Sequence, residues 1–445
     1  MDRSAPLTLH PVVVASALVA GASMALFPLF PELQARHGIS TASLGVIAAA
    51  GFLATLVAEV ALAPLADRGR ARHLLVGGAV ALALSLGLIA VADDVWTLTL
   101  SRIVGGLGYG SWLPAASALV VRAAPARAGE QLGRLYAGEL LGLAIGPLLA
   151  AVGFGVIDLV PTMAIGAAAL LVAGVWAGRT TVPGIDHVPT TRPPRIAVDL
   201  LRSPAVRAAV LLTVAFWLPI GAYDAIWPRF IADLGASTAL VGVSYTLFAL
   251  PFVVVAPLAG RLSDRIGGAR AAVRGFSVLL PVVLAFGFVG QLWVVLGLGV
   301  VESTGQAIAS TGAAAAMAQA VSSERAGAGQ GLARAAGTLA AALAALVAAP
   351  IYDSLGREVL FPATVAVVVV VVAAALLTGR RRPARSDAGV AGPPIGVVGP
   401  SWNSAPTPTT TVPPDPAPIT MPPPGATGPP TSPVSSTGEP ASSEG

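Results

Sequence analysis

The sequence predicts an all-α polytopic membrane protein with twelve transmembrane helices in two six-helix repeats. Three observations carry this expectation. The 445-residue chain is 55% hydrophobic and only 11% charged, whereas a soluble domain carries about 25% charged residues. Apolar stretches of about twenty residues recur along it, each enough for a helix to cross a hydrocarbon core about 30 Å thick. The two halves also repeat one another at a fixed offset. The runs do not alternate polar with apolar, as the strands of a membrane barrel would.

In order, the spans fall at roughly 11–31, 43–63, 74–92, 96–121, 134–157, 160–178, 208–228, 239–259, 271–290, 293–316, 332–350 and 359–378. The first holds "VASALVAGASMA", whose small residues imitate a signal-peptide cleavage site. Its counterpart in the second half is internal, so it reads as a helix. The expected organisation is a first six-helix half (1–178), a Pro-containing cytoplasmic connection (179–207), a second half (208–382) and a Pro/Ser/Thr/Gly-rich tail (383–445). The tail has almost nothing to bury and reads as disordered. Arg380 to Arg382 would hold its start at anionic headgroups.

The repeat is legible residue by residue. Pro31, Gly38, Gly45 and Asp67 recur as Pro228, Gly235, Gly242 and Asp264, each 197 positions on. Beyond the charged loop the offset is 198, since "RAG" at 127–129 returns at 325–327. The slip lies where "DRGR" in one copy stands against "DRIGG" in the other. Parallel repeats of this kind commonly flank an alternately accessible site.

Every basic residue is arginine, and arginine placement sets the orientation. With the N-terminus inside, 22 of the 26 arginines fall on one side; Arg36, Arg229 and Arg357 fall on the other and Arg102 lies within a span. The positive-inside rule then puts both termini in the cytoplasm of a multi-pass protein of the cell membrane. The net charge of +4 is thereby spent on topology and gives no reason to expect nucleic acid.

Two loops carry the same phrase: "ALAPLADRGRARHLL" at 61–75 and "APLAGRLSDRIGGAR" at 256–270. Each is a tight turn whose arginines hold that end inside, with an Asp placed to cap a helix or pair with an Arg. Over residues 10–380 the chain resembles the major facilitator superfamily. Its loop signature, Gly-x-Leu-small-Asp-Arg-x-Gly-Arg, matches Gly260, Leu262, Ser263, Asp264, Arg265 and Gly267, with Gly268 in place of the usual Arg. In the first copy Asp67, Arg68 and Arg70 match, Ala63 replaces the leading Gly, and one residue before Gly69 is missing. "RIVGGLGYG" (102–110) is similar to the family's fourth-helix pattern. "GRLYAGELLGLAIGPLLAA" (133–151) is similar to the fifth-helix signature of drug:proton antiporters through Gly133, Gly142, Gly146 and Pro147, although Ala150 and Ala151 replace its final glycine pair. "PLFP" (28–31) is similar to the first-helix ending of twelve-helix drug exporters. The resemblance implies alternating-access export of amphipathic or cationic small molecules against protons. A metabolite or sugar carrier, importing or exporting, is the alternative.

Charge inside hydrocarbon is costly and marks a cavity or a partner. Arg102 and Glu302 sit within the fourth and tenth spans, which the resemblance assigns to the cavity wall. They read either as a proton or cation site tuned by the arginine, or as a permanent ion pair. Glu139 either exchanges protons with the cytoplasm or pairs with Arg134 or Arg122. Glu59 reads as a structural partner of a loop arginine. Asp224 either serves transport, reaches headgroup water or bonds Arg229. Glycines at 105, 106, 108, 110, 142 and 146 suit close helix approach, and Pro147 suits a bend. Trp112, Tyr136, Phe216, Trp217, Tyr223, Trp227 and Tyr245 offer aromatic surface for a substrate or for the interfacial belts.

No cysteine occurs, and the four histidines are dispersed at 10, 37, 73 and 187. No set for metal binding or nucleophilic catalysis assembles, which argues against a membrane enzyme, and no Walker-type loop supports ATP coupling. The sequence therefore calls for no cofactor. Its expected partners are a small-molecule substrate, protons and the lipid bilayer, and a monomer suffices.

Overall fold

A computed structural model describes residues 10–62, 65–123, 128–179, 197–322 and 325–380. Within them twelve helices are long and apolar enough to cross a membrane. They are α1 (His10–His37), α2 (Thr41–Ala61), α3 (Ala71–Ala90), α4 (Val95–Ala123), α5 (Glu130–Ile157), α6 (Leu159–Gly178), α7 (Pro204–Asp233), α8 (Thr238–Ile266), α9 (Gly268–Phe286), α10 (Leu292–Ala320), α11 (Ala326–Leu355) and α12 (Arg357–Gly379). Several outrun the expected spans. At 1.5 Å per residue a 30-residue helix such as α7 is about 45 Å long, so its ends reach past the hydrocarbon. The expected tail at 383–445 and most of the connection, 180–196, lie outside the described residues.

The first helix does not stop at Pro31. The backbone tightens into a 3-10 turn at Phe27–Leu29 and resumes as Phe30–His37. Pro28 and Pro31 stand in the first turns of these two pieces, where a missing N–H costs nothing. A left-handed Gly38 (φ 64°) ends the run, and its counterpart Gly235 (φ 91°) does the same after α7. At the other end of the bundle Gly69 (φ 81°) and Gly267 (φ 88°), 198 residues apart, are both left-handed too. The first copy, a residue short, makes a wide turn over Ala66–Arg70, while α8 stays α-helical to Ile266.

Helix contacts are built on absent side chains. Val13, Ala17 and Gly21 of α1 face Gly138, Gly142 and Gly146 of α5, two stripes with a four-residue step. A side chain on Gly142 would strike the Ala17 carbonyl, and one on Gly146 would strike Gly21. Gly106 and Gly110 of α4 lie on the backbone of Gly51 and Thr55 of α2, and the Thr55 hydroxyl donates to the Gly106 carbonyl at 3.2 Å. In the last six helices Gly268 and Gly275 of α9 interleave with Gly305 and Gly312 of α10. Gly268 stands where the loop signature has Arg; its position backs onto α10 and has no room for a side chain. Gly133, by contrast, has open space around it, so it takes no part in this packing.

Several contacts join the first six helices to the last six. Near the Gly38 end, Gly45 of α2 lies on Ala345 and Ala349 of α11, and Gly242 of α8 lies on Pro147, Leu148 and Ala151 of α5. Beside the latter, the Thr246 hydroxyl donates to the Ala144 carbonyl at 2.5 Å. Midway, Phe52 of α2 meets Trp217 of α7 edge-on, with ring centroids 6.4 Å apart. Toward the Gly69 end, Arg334 of α11 donates from Nε to Glu59 of α2 at 2.6 Å. Glu59 thus pairs across the molecule rather than with a loop arginine. Gly45, Phe52 and Glu59 are spaced by seven, so one stripe of α2 makes three of these contacts.

Outside the spans, Asp199 accepts both guanidinium nitrogens of Arg325, at 2.6 and 3.0 Å. Those hydrogen bonds hold its carboxyl below the ordinary Asp range, and they tie the end of the connection to the start of α11.

Replacing Gly142 by Leu is expected to cost about 1–3 kcal/mol of overpacking strain. Gly133→Ala, in open space, should gain about 0.5–1 kcal/mol of helix stability. Thermal unfolding in detergent separates the two, and equal shifts would reject the packing role of Gly142. For Glu59 and Arg334, whose side chains are 11% and 37% exposed, a double-mutant cycle with Gln and Ala should return a coupling of about 1–3 kcal/mol, between the exposed and buried limits.

Candidate functional site

The helices enclose a central cavity of about 340 Å³, within the size range of small-molecule sites. Both sets of six helices contribute to it, through α1, α2, α4 and α5 on one side and α7, α8, α10 and α11 on the other. Its wall is rich in aromatic residues. Phe216, Trp217, Tyr223 and Trp227 of α7 face Phe52 of α2, and Tyr245, Phe248 and Phe252 of α8 complete the ring system. Tyr223 packs edge-on against Phe248 at 6.3 Å. Such rings present both flat apolar area and negative faces to a cation. Two of the expected aromatic residues lie elsewhere. Trp112 is buried and donates to the Ser16 hydroxyl at 2.8 Å, and Tyr136 is exposed.

Toward the Gly38 end the cavity is bounded by Arg102 and Asp224. Arg102 donates from Nη1 to the Ser23 carbonyl at 2.7 Å and lies over the Phe27 ring at 4.5 Å. Its place exists because residue 51 is glycine, whose missing side chain leaves room for the guanidinium. Arg102 Nε has no hydrogen-bond partner within the protein, nor has the hydroxyl of neighbouring Tyr245. Asp224 is buried and interacts electrostatically with Arg102. It neither sits in headgroup water nor bonds Arg229, which pairs instead with Asp233 at 2.9 Å.

Glu302 is fully buried one layer behind this wall. Its Oε1 accepts from Gln306 Nε2 at 2.7 Å and from the Tyr223 hydroxyl at 3.4 Å, while Oε2 has no partner. Gln306 and Tyr223 line the cavity in its place. Glu302 and Arg102 therefore form no ion pair; the acid that Arg102 senses is Asp224. Gln306, one turn from Glu302 on the same helix face, was legible only through that spacing.

Toward the Gly69 end a second polar layer lies between α4, α5, α2 and α11. The Tyr109 hydroxyl donates to Glu139, so this acid engages neither Arg134 nor Arg122. Arg134 pairs with Glu130 at 2.7 Å, and Arg122 reaches the Ala66 carbonyl at 3.2 Å. Arg334 lines the cavity here and interacts with Glu139 and Tyr109 as well as Glu59. It counted in the sequence as one more inward arginine. Its position two turns into α11, opposite an acid on α2, was not readable from either helix alone.

The loop residues lie apart from the cavity. Asp264 and Arg265 are exposed at the end of α8, Arg70 is exposed in its turn, and Gly260 has open space around it. The side chains of Asp67 and Arg68 lie outside the described residues. Of the fifth-helix residues, Gly142 and Gly146 contact α1 and Pro147 meets α8, without touching the cavity.

The arrangement thus combines an aromatic chamber, a guanidinium and a carboxylate at its wall that act on each other electrostatically, and further acids behind and below. Comparison with known proteins agrees with its overall form. Multidrug resistance protein MdtG of Proteus mirabilis (strain HI4320) is 25% identical over 260 residues, covering 56% of this chain and 64% of that protein. The same protein of Serratia proteamaculans (strain 568) is 27% identical over 287 residues, covering 61% and 68%. The chain therefore matches about two thirds of the length of these relatives. Among solved structures, the nucleoside transporter NupG superposes with a TM-score of 0.70 at 11% identity, covering 84% of this chain and 99% of that one. A bacterial homolog of the human lysosomal transporter Spinster, inward-facing and unoccupied, gives 0.70 at 14% identity, covering 84% and 96%. The sequence model of the Major Facilitator Superfamily matches residues 12–226 and 209–414. The chain belongs to the Major Facilitator Superfamily and is a multi-pass membrane transporter.

Proposed function

We propose that the chain exports amphipathic or cationic small molecules in exchange for protons, by alternating access, as a monomer in the cell membrane. The observation that carries this reading is an aromatic cavity between the two sets of six helices with a buried carboxylate, Asp224, in its wall. The rings suit a flat apolar cation, and the carboxylate suits its charge. The name of the MdtG relatives supports export of drugs. In this reading the two sets of helices are two moving halves, 1–178 and 208–382, joined by 179–207.

The arginine bias supports a cytoplasmic Gly69 end and an external Gly38 end. The tight packing of Gly45 and Gly242 then closes the outside, and substrate enters from the cytoplasm. Asp224 lies within the electrostatic field of Arg102. A cation arriving beside it competes with Arg102 for the carboxylate, while a proton on Asp224 removes the attraction, so cation and proton exclude one another. Glu302, with one oxygen unpartnered, offers a second proton seat behind Gln306. Glu139, reached through Tyr109 from the cavity and lying nearer the cytoplasmic end, is placed to return protons there. Gly142 and Gly146 keep α5 close to α1 while the loop residues Asp67, Arg68, Arg70, Asp264 and Arg265 adjust as the ends part.

The test is substrate-induced proton movement in everted vesicles carrying the purified protein, with a panel of lipophilic cations. Wild type is expected to dissipate an imposed pH gradient when a cation is added. Asp224→Asn should abolish the response, and Glu302→Gln or Glu139→Gln should abolish it where that acid carries the proton. If no cation moves protons while a neutral metabolite crosses, the export reading fails and a metabolite carrier replaces it.

A further inference from the structure

Between the two polar layers the cavity is lined by Trp217. Asp224 stands seven residues, two turns, beyond it on the same face of α7, about 10 Å toward the Gly38 end. Arg334 lies toward the other end, one turn before the level of Gly337 and Thr338 on α11. The indole of Trp217 is held from three sides. Phe216 meets it at 5.9 Å and Phe52, from the other set of helices, at 6.4 Å, both edge-on. On the third side it lies against Gly337 of α11, where a methyl group would overlap its Cδ1, Nε1 and Cγ atoms. Gly337 is buried and lies mid-helix, where glycine costs helix stability relative to alanine. Neither a turn nor a positive φ calls for it; the indole does.

We infer that Gly337 sets the width of a collar, formed by Trp217 and Phe52, which limits by cross-section what reaches the chamber holding Asp224. The inference rests on the reading of this cavity as the substrate path. A side chain at 337 leaves the indole one direction to move, away from α11 and into the lumen, because α11's backbone fills the other. The collar itself is apolar, so it selects by girth and flatness, while charge is read at the polar layers on either side of it. A single methyl group therefore changes selectivity without touching any charged residue.

The test uses the absence of cysteine from the chain. Ser23→Cys puts one thiol in the chamber wall beyond the collar. In inside-out vesicles, membrane-impermeant methanethiosulfonates carrying a small or a bulky cationic head are offered to the arginine-rich face. Adding Gly337→Ala is expected to lower the bulky-to-small labelling ratio about tenfold, the discrimination a methyl-sized change in a pocket supplies. Adding Trp217→Leu as well should restore it, and Trp217→Leu alone should raise it above the starting value. A ratio unchanged by both single substitutions, or a loss that persists after Trp217→Leu is added, overturns the collar. Should the ratios shift as stated while no cation is transported, the collar stands and the export reading falls.

Discussion

Everything in this bundle depends on how closely helix backbones can approach where side chains are missing. In lipid there is little hydrophobic gain from bringing two apolar helices together, so contact must come from close fit. Gly142 and Gly146 seat α5 on α1, Gly106 and Gly110 seat α4 on α2, and four glycines interleave α9 with α10. These contacts make each set of six helices firm. A thinner set, Gly45 on α11 and Gly242 on α5, joins the two sets near one end only. The unequal distribution leaves a cavity in the middle.

The same constraint governs the charges. An isolated guanidinium or carboxylate in hydrocarbon costs several kcal/mol, and most of those described in the interior are found with a partner. Arg102 has a carbonyl, a ring and the field of Asp224; Arg334 has Glu59; Glu139 has Tyr109; Glu302 has Gln306 and Tyr223. The partners fall into two levels along the axis, separated by aromatic residues. In the exchange proposed above, such a division would keep the cation and the proton from occupying one place together.

Much of this was legible in the sequence, and the rest was hidden for a physical reason. Helix number and the repeat follow from hydropathy and from spacing along one chain, and the matched left-handed glycines at 38 and 235 carry the repeat into the backbone. Pairings between distant helices have no such signal. Glu59 was assigned to a loop arginine because loop arginines are near in sequence, whereas its partner lies 275 residues away. The alanines at 150 and 151 looked like a lost glycine pair. At Ala151 the clearance is supplied from the other helix, by Gly242. Glu302 and Arg102 both lie within spans assigned to the cavity wall yet face different neighbours, and placement within a span was all the sequence offered. Asp158, the one non-glycine with positive φ among the described residues (φ 69°), stands 198 positions before Gly356 (φ 76°). There the repeat preserves a backbone shape with a different residue, and the Asp also caps α6 at Leu159.

On the alternating-access reading proposed above, the ion pair of Glu59 and Arg334 bridges two sets of helices that have to separate. When α2 and α11 part at that end, both ions pass into water, and the stabilisation they lose is set by how dry the contact was beforehand. With its arginine more than one third exposed, the bridge already stands at the water's edge. It is a latch whose grip weakens as ionic strength rises, so the salt content of the compartment facing it enters the balance between the closed and open forms.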